Sequence, residues 1–339
     1  MRKRLYIAAA VCLGLVLVGG AGVGFAWRVL NTPFDVPASG LLLEVSPGSS
    51  LAAVAQQLAT RAGLKQPRLL TWYGRLRGDA TRIHVGEYRV NRTDTPVSLL
   101  VRLVEGDVVL HQFTIVEGWR FEELLSSLRG HPNIAAGTAT PMAIMAALGK
   151  PDLHPEGQFL PDTYSFPKGT TELDLLRLAH TALLRHLAEA WEARAPDLKL
   201  ASPYEALILA SIVEKETALE SERPMIAGVF HRRLERGMRL QTDPTVIYGL
   251  GESFDGNLRR RDLTEDTPYN TYTRGGLPPT PIALAGRAAI DAAVRPAAGQ
   301  ELYFVATGDP DGSHRFSVSL EEHNRAVQDY LQRLRSGRD

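Results

Sequence analysis

The sequence predicts an α+β protein held by a single N-terminal transmembrane helix. Three observations carry that prediction. A charge-free apolar run of 23 residues, Leu5 to Trp27, lies near the start. After it, short apolar strands alternate with amphipathic helices. No internal repeat or low-complexity tract interrupts that order. At 339 residues the chain has length for about two domains. With 44% hydrophobic and 22% charged residues it has the apolar surface for sizeable cores.

Composition also excludes several classes. Lys+Arg and Asp+Glu each number 38, so the formal net charge is zero. A general nucleic-acid binder carries a basic surplus, so no nucleic-acid partner is expected. One cysteine, Cys12, excludes a disulfide scaffold, a Cys-based zinc site and an iron–sulfur cluster. The histidines show no H-x-x-x-H or H-E-x-x-H spacing. G-x-S-x-G, P-loop and dinucleotide fingerprints are missing too. No metal and no cofactor is expected.

Residues 1–4 form a basic head, and Arg28 closes the apolar run of residues 5–27. As a helix the run is about 35 Å long, enough for a bilayer core of about 30 Å. The positive-inside rule keeps the head in the cytoplasm, and Trp27 suits the far interface. The rest of the chain then lies outside the cytoplasmic membrane. A cleaved signal peptide has a shorter apolar region and an A-x-A-like site; neither is seen here.

Residues 28–40 read as a linker. Residues 41–116 read as a small α+β module. Leu41 to Val45 is a strand, and Pro47-Gly48-Ser49-Ser50 turns into a helix. Leu51, Val54, Ala55 and Leu58 lie on one helical face. Pro67 opens a second helix, Gly86 to Val90 is a strand, and Thr95-Pro96 starts a third helix. Val108 to Val116 is strand-like. The strand–Pro-Gly-x-Ser–helix–helix–strand order resembles the LysM-type modules that bind peptidoglycan glycan. Two readings of it stay open: glycan binding, or packing alone.

Residues 117–339 form a larger mixed α+β domain. Phe121 to about Gly149 reads as helical. The loop Glu156 to Tyr164 is aromatic and acidic, a type that often carries function. Leu173 to Ala193 is a long helix. Ser202-Pro203-Tyr204-Glu205 is a strong helix start, for a helix running to about Leu219. Another spans Pro224 to Arg236 and ends at Gly237. The chain is then loop-rich until two short strands, Leu302 to Val305 and Arg315 to Val318. A last helix includes His323 to Leu334.

The chemistry points to Ser211-Ile-Val-Glu-Lys-Glu-Thr217. Glu216 lies at i+7, i+4 and i+3 from Leu209, Ile212 and Val213, on the apolar helical face. Such a carboxyl is desolvated, stays protonated near neutrality and serves as a general acid. The competing reading is a buried salt bridge to a later arginine. Glu214 points elsewhere and reads as a solvated helix-surface charge or a substrate-facing carboxylate. Asp243, before Pro244, reads as a turn or N-cap residue or a second acid. Gln241, Asn270 and Tyr272 offer the uncharged hydrogen-bonding and stacking groups of a sugar site, or simply satisfy their loops.

Several stretches together resemble one known family. These are Ala210 to Thr217, Arg239-Leu-Gln-Thr-Asp-Pro-Thr-Val-Ile-Tyr-Gly249, Tyr269-Asn-Thr-Tyr272, Gly276-Leu-Pro-Pro279, Tyr303-Phe-Val305 and His323-Asn324. With Glu156-Gly and Pro161-Asp-Thr163, they look like the YceG-like family. Thr280 to Ala285 departs from that family's more Gly/Asn-rich run. The resemblance implies a YceG-like catalytic domain over 117–339 with Glu216 as its catalytic acid. It implies non-hydrolytic cleavage of the β-1,4 bond between N-acetylmuramic acid and N-acetylglucosamine within glycan strands. It also implies peptidoglycan synthases as partners. Two other readings stay open: a non-catalytic, membrane-tethered glycan-binding protein, and a two-carboxylate muramidase using Asp243. The anchor reading predicts that full-length protein keeps its N-terminal segment. Mass spectrometry of the membrane fraction checks this; a mature N-terminus beyond residue 20 contradicts it.

Overall fold

The computed structural model describes residues 2–336. Met1, at the start of the basic head, and residues 337–339 lie outside the described residues. The chain divides into two compact units, Met1–His111 with Ser165–Gly169, and Gln112–Tyr164 with Thr170–Asp339.

The first unit opens with helix α1 (Arg2–Leu30). Its segment Ala9–Leu30 has a mean hydropathy of 2.2 and is long enough to cross a membrane. Side chains such as Leu15, Val16, Leu17 and Val18 stand exposed around it. Next come β1 (Leu41–Val45), α2 (Leu51–Arg61), α3 (Pro67–Arg77), β2 (Gly86–Val90) and α4 (Pro96–Glu105). β1 and β2 pair antiparallel with Leu43 opposite Tyr88. The Ser50 hydroxyl caps α2 by accepting from the Ala53 N–H. Thr95 and Ser98 form a capping box on α4. These caps are why the expected helix starts hold.

The stretch expected to be a linker is in part core. Leu30, Phe34 and Val36 are each at most 7% exposed and pack with Leu51, Leu58, Leu99 and Tyr88. The Phe34 N–H donates to Asp94 O at 2.9 Å, and the Asp35 N–H to Ala62 O at 3.2 Å. Proline and glycine in 31–40 suggested a free tether, yet two apolar side chains suffice to pin it.

The second unit contains α5 (Phe121–Gly130), β4 (Ile134–Ala135), α6 (Pro141–Ala147), β6 (Thr170–Thr171), α7 (Glu172–Glu192) and α8 (Pro203–Glu216). It continues with α9 (Arg223–Glu235), α10 (Asp243–Leu250), α11 (Arg260–Thr264), α12 (Arg287–Val294), β7 (Tyr303–Ala306), β8 (His314–Ser317) and α13 (Leu320–Ser336). Strands β3 (Leu110–Thr114) and β5 (Thr163–Pro167) pair, as do β4 with β6 and β7 with β8. Every sheet among the described residues has two strands, so helices make the core. Helix α8 is its centre, packed by α7, α9, α10 and α12. All eight residues from Ala206 to Val213 are buried.

Three expectations change here. Residues 121–149 are not one helix, because His131 precedes a proline and is extended (φ −81°, ψ 127°). The segment read as loop-rich holds α10, α11 and α12, short helices of five to eight residues. Helix α8 stops at Glu216 rather than Leu219, since Thr217 is extended.

The buried start of the first unit yields a stability prediction. Phe34→Ala is expected to destabilise that unit by about 3 kcal/mol, the usual cost of emptying a phenyl site. A chain beginning after Val36 is expected to melt lower still, while one beginning at Leu30 keeps the wild-type transition. Thermal melts of the three proteins check it.

Candidate active site

The early stop of α8 makes the site. A helix buried on every side shows no polar face, so its only route to solvent is its end. Glu216 is the last helical residue there and is part-exposed. It lines a cleft of about 500 Å³ with Arg233, Gln241, Asp243, Tyr272, Tyr303, His314 and His323.

Thr242 faces the Glu216 carboxyl and hydrogen-bonds it through its hydroxyl. Thr242 is buried and held by two other threonines. Its N–H donates to Thr271 Oγ1 at 3.1 Å, and its carbonyl accepts from Thr245 Oγ1 at 2.8 Å. Gln241, just before it, has φ +50°, the one non-glycine in the left-handed region among the described residues. That conformation costs about 1 kcal/mol or more and turns the chain so that Thr242 meets the carboxyl. Asp243 stands in the first turn of α10, after its N-cap Thr242. It does not cap the helix; its Oδ1 accepts from the Tyr272 hydroxyl at 2.6 Å. Asp243, Gln241 and Tyr272 thus share the cleft with Glu216. Asn270 does not line it. Only 1% exposed, Asn270 donates to Asp262 O and Glu265 O and accepts from the Tyr272 N–H. It folds the loop that presents Tyr272.

Desolvation raises the Glu216 carboxyl from an ordinary 4.5 to about 7. Its position at the negative end of α8 acts in the same sense. The Thr242 hydrogen bond pulls the other way; the Asp243 charge adds to the rise, and His314 and Arg233 oppose it. Burial and Asp243 together also raise the Tyr272 hydroxyl.

Glu214 is not a solvated charge. Its side chain is 5% exposed and pairs with Arg223 at 3.0 Å. It also accepts from the Gly286 N–H at 2.9 Å. Gly286 has no Cβ because the Glu117 carboxylate fills that space. Burial raises Glu214, with Gly286 and Arg223 opposing. The helical-face argument separated the two glutamates by side; the structure separates them by partners and access.

Four cleft-side residues were not singled out beforehand. Arg233 is buried, donating to Leu302 O and Leu240 O under the Tyr303 ring. It lies at i+7, i+4 and i+3 from Ile226, Val229 and Phe230, a cation on a buried face, which was a readable signal. His314 is clasped by Glu222: Nδ1 lies 2.7 Å from Oε2, and its N–H donates to Oε1 at 2.8 Å. Thr242 lay inside the Arg239–Gly249 stretch without being singled out, and Glu222 left no mark in the sequence.

A raised carboxyl alone does not mark the site. Glu156 is also raised to about 7 by burial. It accepts from the Phe121 N–H at the start of α5, and residues 155–161 are all buried. The 155–161 part of the acidic loop is therefore core, Glu156 with it, whereas Asp162 is exposed and pairs with Arg287. A cavity of about 520 Å³ at the other end of α8 has one carboxyl, Glu205, and that is spent on the Ala201 N–H.

Comparisons agree on a family. The sequence model of the YceG-like family matches residues 43–329. An endolytic murein transglycosylase of Bacillus subtilis (strain 168) is 30% identical over 308 residues, 85% of this chain and 84% of the relative. One from Streptococcus pneumoniae serotype 2 is 25% identical, over 97% of this chain and 65% of the relative. A crystal structure of a yceG-like protein from Listeria monocytogenes superposes with a TM-score of 0.54. It is 28% identical and is matched over 85% of this chain and 99% of its own.

The two glutamates predict opposite stability effects. Glu214→Gln leaves Arg223 short of a partner and is expected to cost roughly 3–5 kcal/mol. The folded Glu216 carboxyl holds its proton above the unfolded value of 4.5. Its contribution is therefore full below about pH 4.5 and lost as pH rises to about 7. Glu216→Gln removes that loss, so the variant is expected to gain on wild type by up to about 3 kcal/mol between those pH values. Denaturant melts at pH 4.5, 6 and 8 check both.

Proposed function

The chain belongs to the YceG-like family, and on that premise we propose that it is an endolytic murein transglycosylase with Glu216 as its acid–base group. The observation that carries this is a carboxyl poised near 7 where a buried helix ends in an open cleft. The reaction is cleavage of the bond between N-acetylmuramic acid and N-acetylglucosamine inside a strand. Protonated Glu216 gives its proton to the leaving glycosidic oxygen as the C1–O bond breaks. Its carboxylate then takes the proton of the muramic acid C6 hydroxyl as that oxygen bonds C1. The product carries a 1,6-anhydro end, and no water is consumed. The nucleophile belongs to the same sugar, so positioning replaces a second carboxylate. Arg233, fixed under Tyr303, offers a permanent charge to the anion left after the first transfer. Gln241 and Tyr272 are placed to hold sugar hydroxyls at the cleft.

Helix α1 anchors the protein in the cytoplasmic membrane, with its basic head inside and the chain that follows it on the outer side. The β1–α2–α3–β2 order, with its antiparallel pair, supports a LysM-like role in holding glycan. At the membrane the enzyme acts on nascent strands beside their synthases and ends them.

A muramidase reading has one observation in its favour: Asp243 shares the cleft with Glu216. The Tyr272 hydroxyl already occupies one Asp243 oxygen, which favours the one-carboxyl reaction. Product analysis on purified sacculi decides. Anhydro ends support the transglycosylase, reducing ends the muramidase. Glu216→Gln is expected to lower cleavage by about 10⁴-fold or more, because one group serves both proton transfers. Wild-type activity is expected to fall as pH rises through about 7, where the acid form is lost.

A further inference from the structure

Glu216 lines a second cavity on its other flank. That cavity holds about 430 Å³ and is lined by Glu117, Gly118, Glu214, Lys215, Thr217, Ala218 and Arg223 besides Glu216. The first cleft shares only Glu216 with it. Their chemistry differs. The first carries Tyr272, Tyr303 and Phe304, rings on which the apolar faces of sugars pack. The second carries no aromatic ring and is rich in charge.

Three carboxyls and two cations line it. Arg223 sits between Glu214 at 3.0 Å and Glu117 at 3.4 Å. Lys215 faces these carboxyls more loosely, its charge favouring the ionised form of Glu214. Its ammonium donates to the Gly118 carbonyl at 3.2 Å and makes no ion pair among the described residues. It is exposed, so it keeps a donor for a ligand. Arg223 gives a second sign. Its side chain is 9% exposed, and its Nε–H is buried without a partner. Unpaired buried donors are costly and rare.

A pyranose ring offers no anion to such a cavity. In peptidoglycan the anions are the carboxylates of the peptide stems that the strand carries. We propose that the Lys215–Arg223 cavity binds a carboxylate of a peptide stem beside the scissile bond, so that stem-bearing strands are preferred over bare ones. This rests on the glycan-cleaving reading above. The lysine of the Glu-Lys-Glu run is then a specificity residue rather than a spacer.

The test compares two substrates for the full-length protein: uncrosslinked strands with stems, and the same strands stripped by an amidase, with the lactyl carboxylates that this frees capped as methylamides so that the bare strand carries no anion. Wild type is expected to favour stem-bearing strands about tenfold, the size of one charge-assisted hydrogen bond. Lys215→Gln is expected to bring that ratio near one while bare strands are still cleaved. Lys215→Arg is expected to keep the preference, which a merely structural lysine would not demand. Binding to Glu216→Gln protein gives a readout independent of cleavage, and the same preference and the same loss on adding Lys215→Gln are expected. Equal cleavage and binding of the two strands by protein with Lys215 overturns the proposal and leaves the transglycosylase reading intact. So does a ratio that Lys215→Gln leaves unmoved. If nothing is cleaved but stem-bearing strands still bind more tightly through Lys215, the cavity stands and the enzyme reading falls.

Discussion

The second unit depends on one constraint: a carboxyl at the end of a helix that is buried all round. Helix α8 has apolar or small residues at every position from Ala206 to Val213. It cannot turn a polar side to water, so α7, α9, α10 and α12 must enclose it. Its two ends remain open, and the site lies at the C-terminal one. Glu216 occupies that end, where desolvation and the helix dipole both oppose a negative charge. The packing that stabilises the core is thus the same packing that holds the proton on Glu216.

Such a carboxyl needs fixing as well as desolvating. The Thr242–Thr245–Thr271 cluster supplies a hydroxyl whose own backbone is tied at both ends. The left-handed Gln241 is the strained step that brings that hydroxyl to Glu216. Arg233 and the Glu222–His314 pair bring positive and polar groups to the same cleft from α9 and β8. Each is held by backbone carbonyls or a buried carboxylate rather than by solvent. Thr242, Arg233 and His314 are thus each tied by partners within the protein.

Much of this was legible in the sequence, and the exceptions have physical causes. The caps at Ser50, Thr95 and Ser202 are local signals, and the helices begin where those signals stand. Glu216 stood out because its apolar neighbours lie at helical spacing. Glu214 was misplaced because two residues along a helix look like the opposite, wet side. That inference fails when the helix is buried on all sides and Arg223 arrives from another element. Helices α10, α11 and α12 are too short for periodicity to show, and their loops carry the prolines and glycines that dominate a local reading. Phe34 and Val36 were hidden for a related reason, since two apolar residues among turn formers make no pattern. Thr242 meets Glu216, and Glu222 meets His314, from far along the chain, and no spacing rule links such pairs.

A value near 7 suits one group doing two jobs. A carboxyl at its ordinary 4.5 is almost wholly charged at neutral pH and has little proton to give. One raised far beyond 7 would give up its proton poorly and be slow to act as an acid. Near 7 both forms are populated, and each suits its half of the proposed reaction, which passes one proton out and takes one in. The balance is built from opposed contributions rather than from burial alone. Enclosure and Asp243 favour the neutral form, while the Thr242 hydroxyl, His314 and Arg233 favour the charged one. Each opposing group sits on a different element, so the poise depends on the whole second unit being folded and not on the Glu-Lys-Glu run itself.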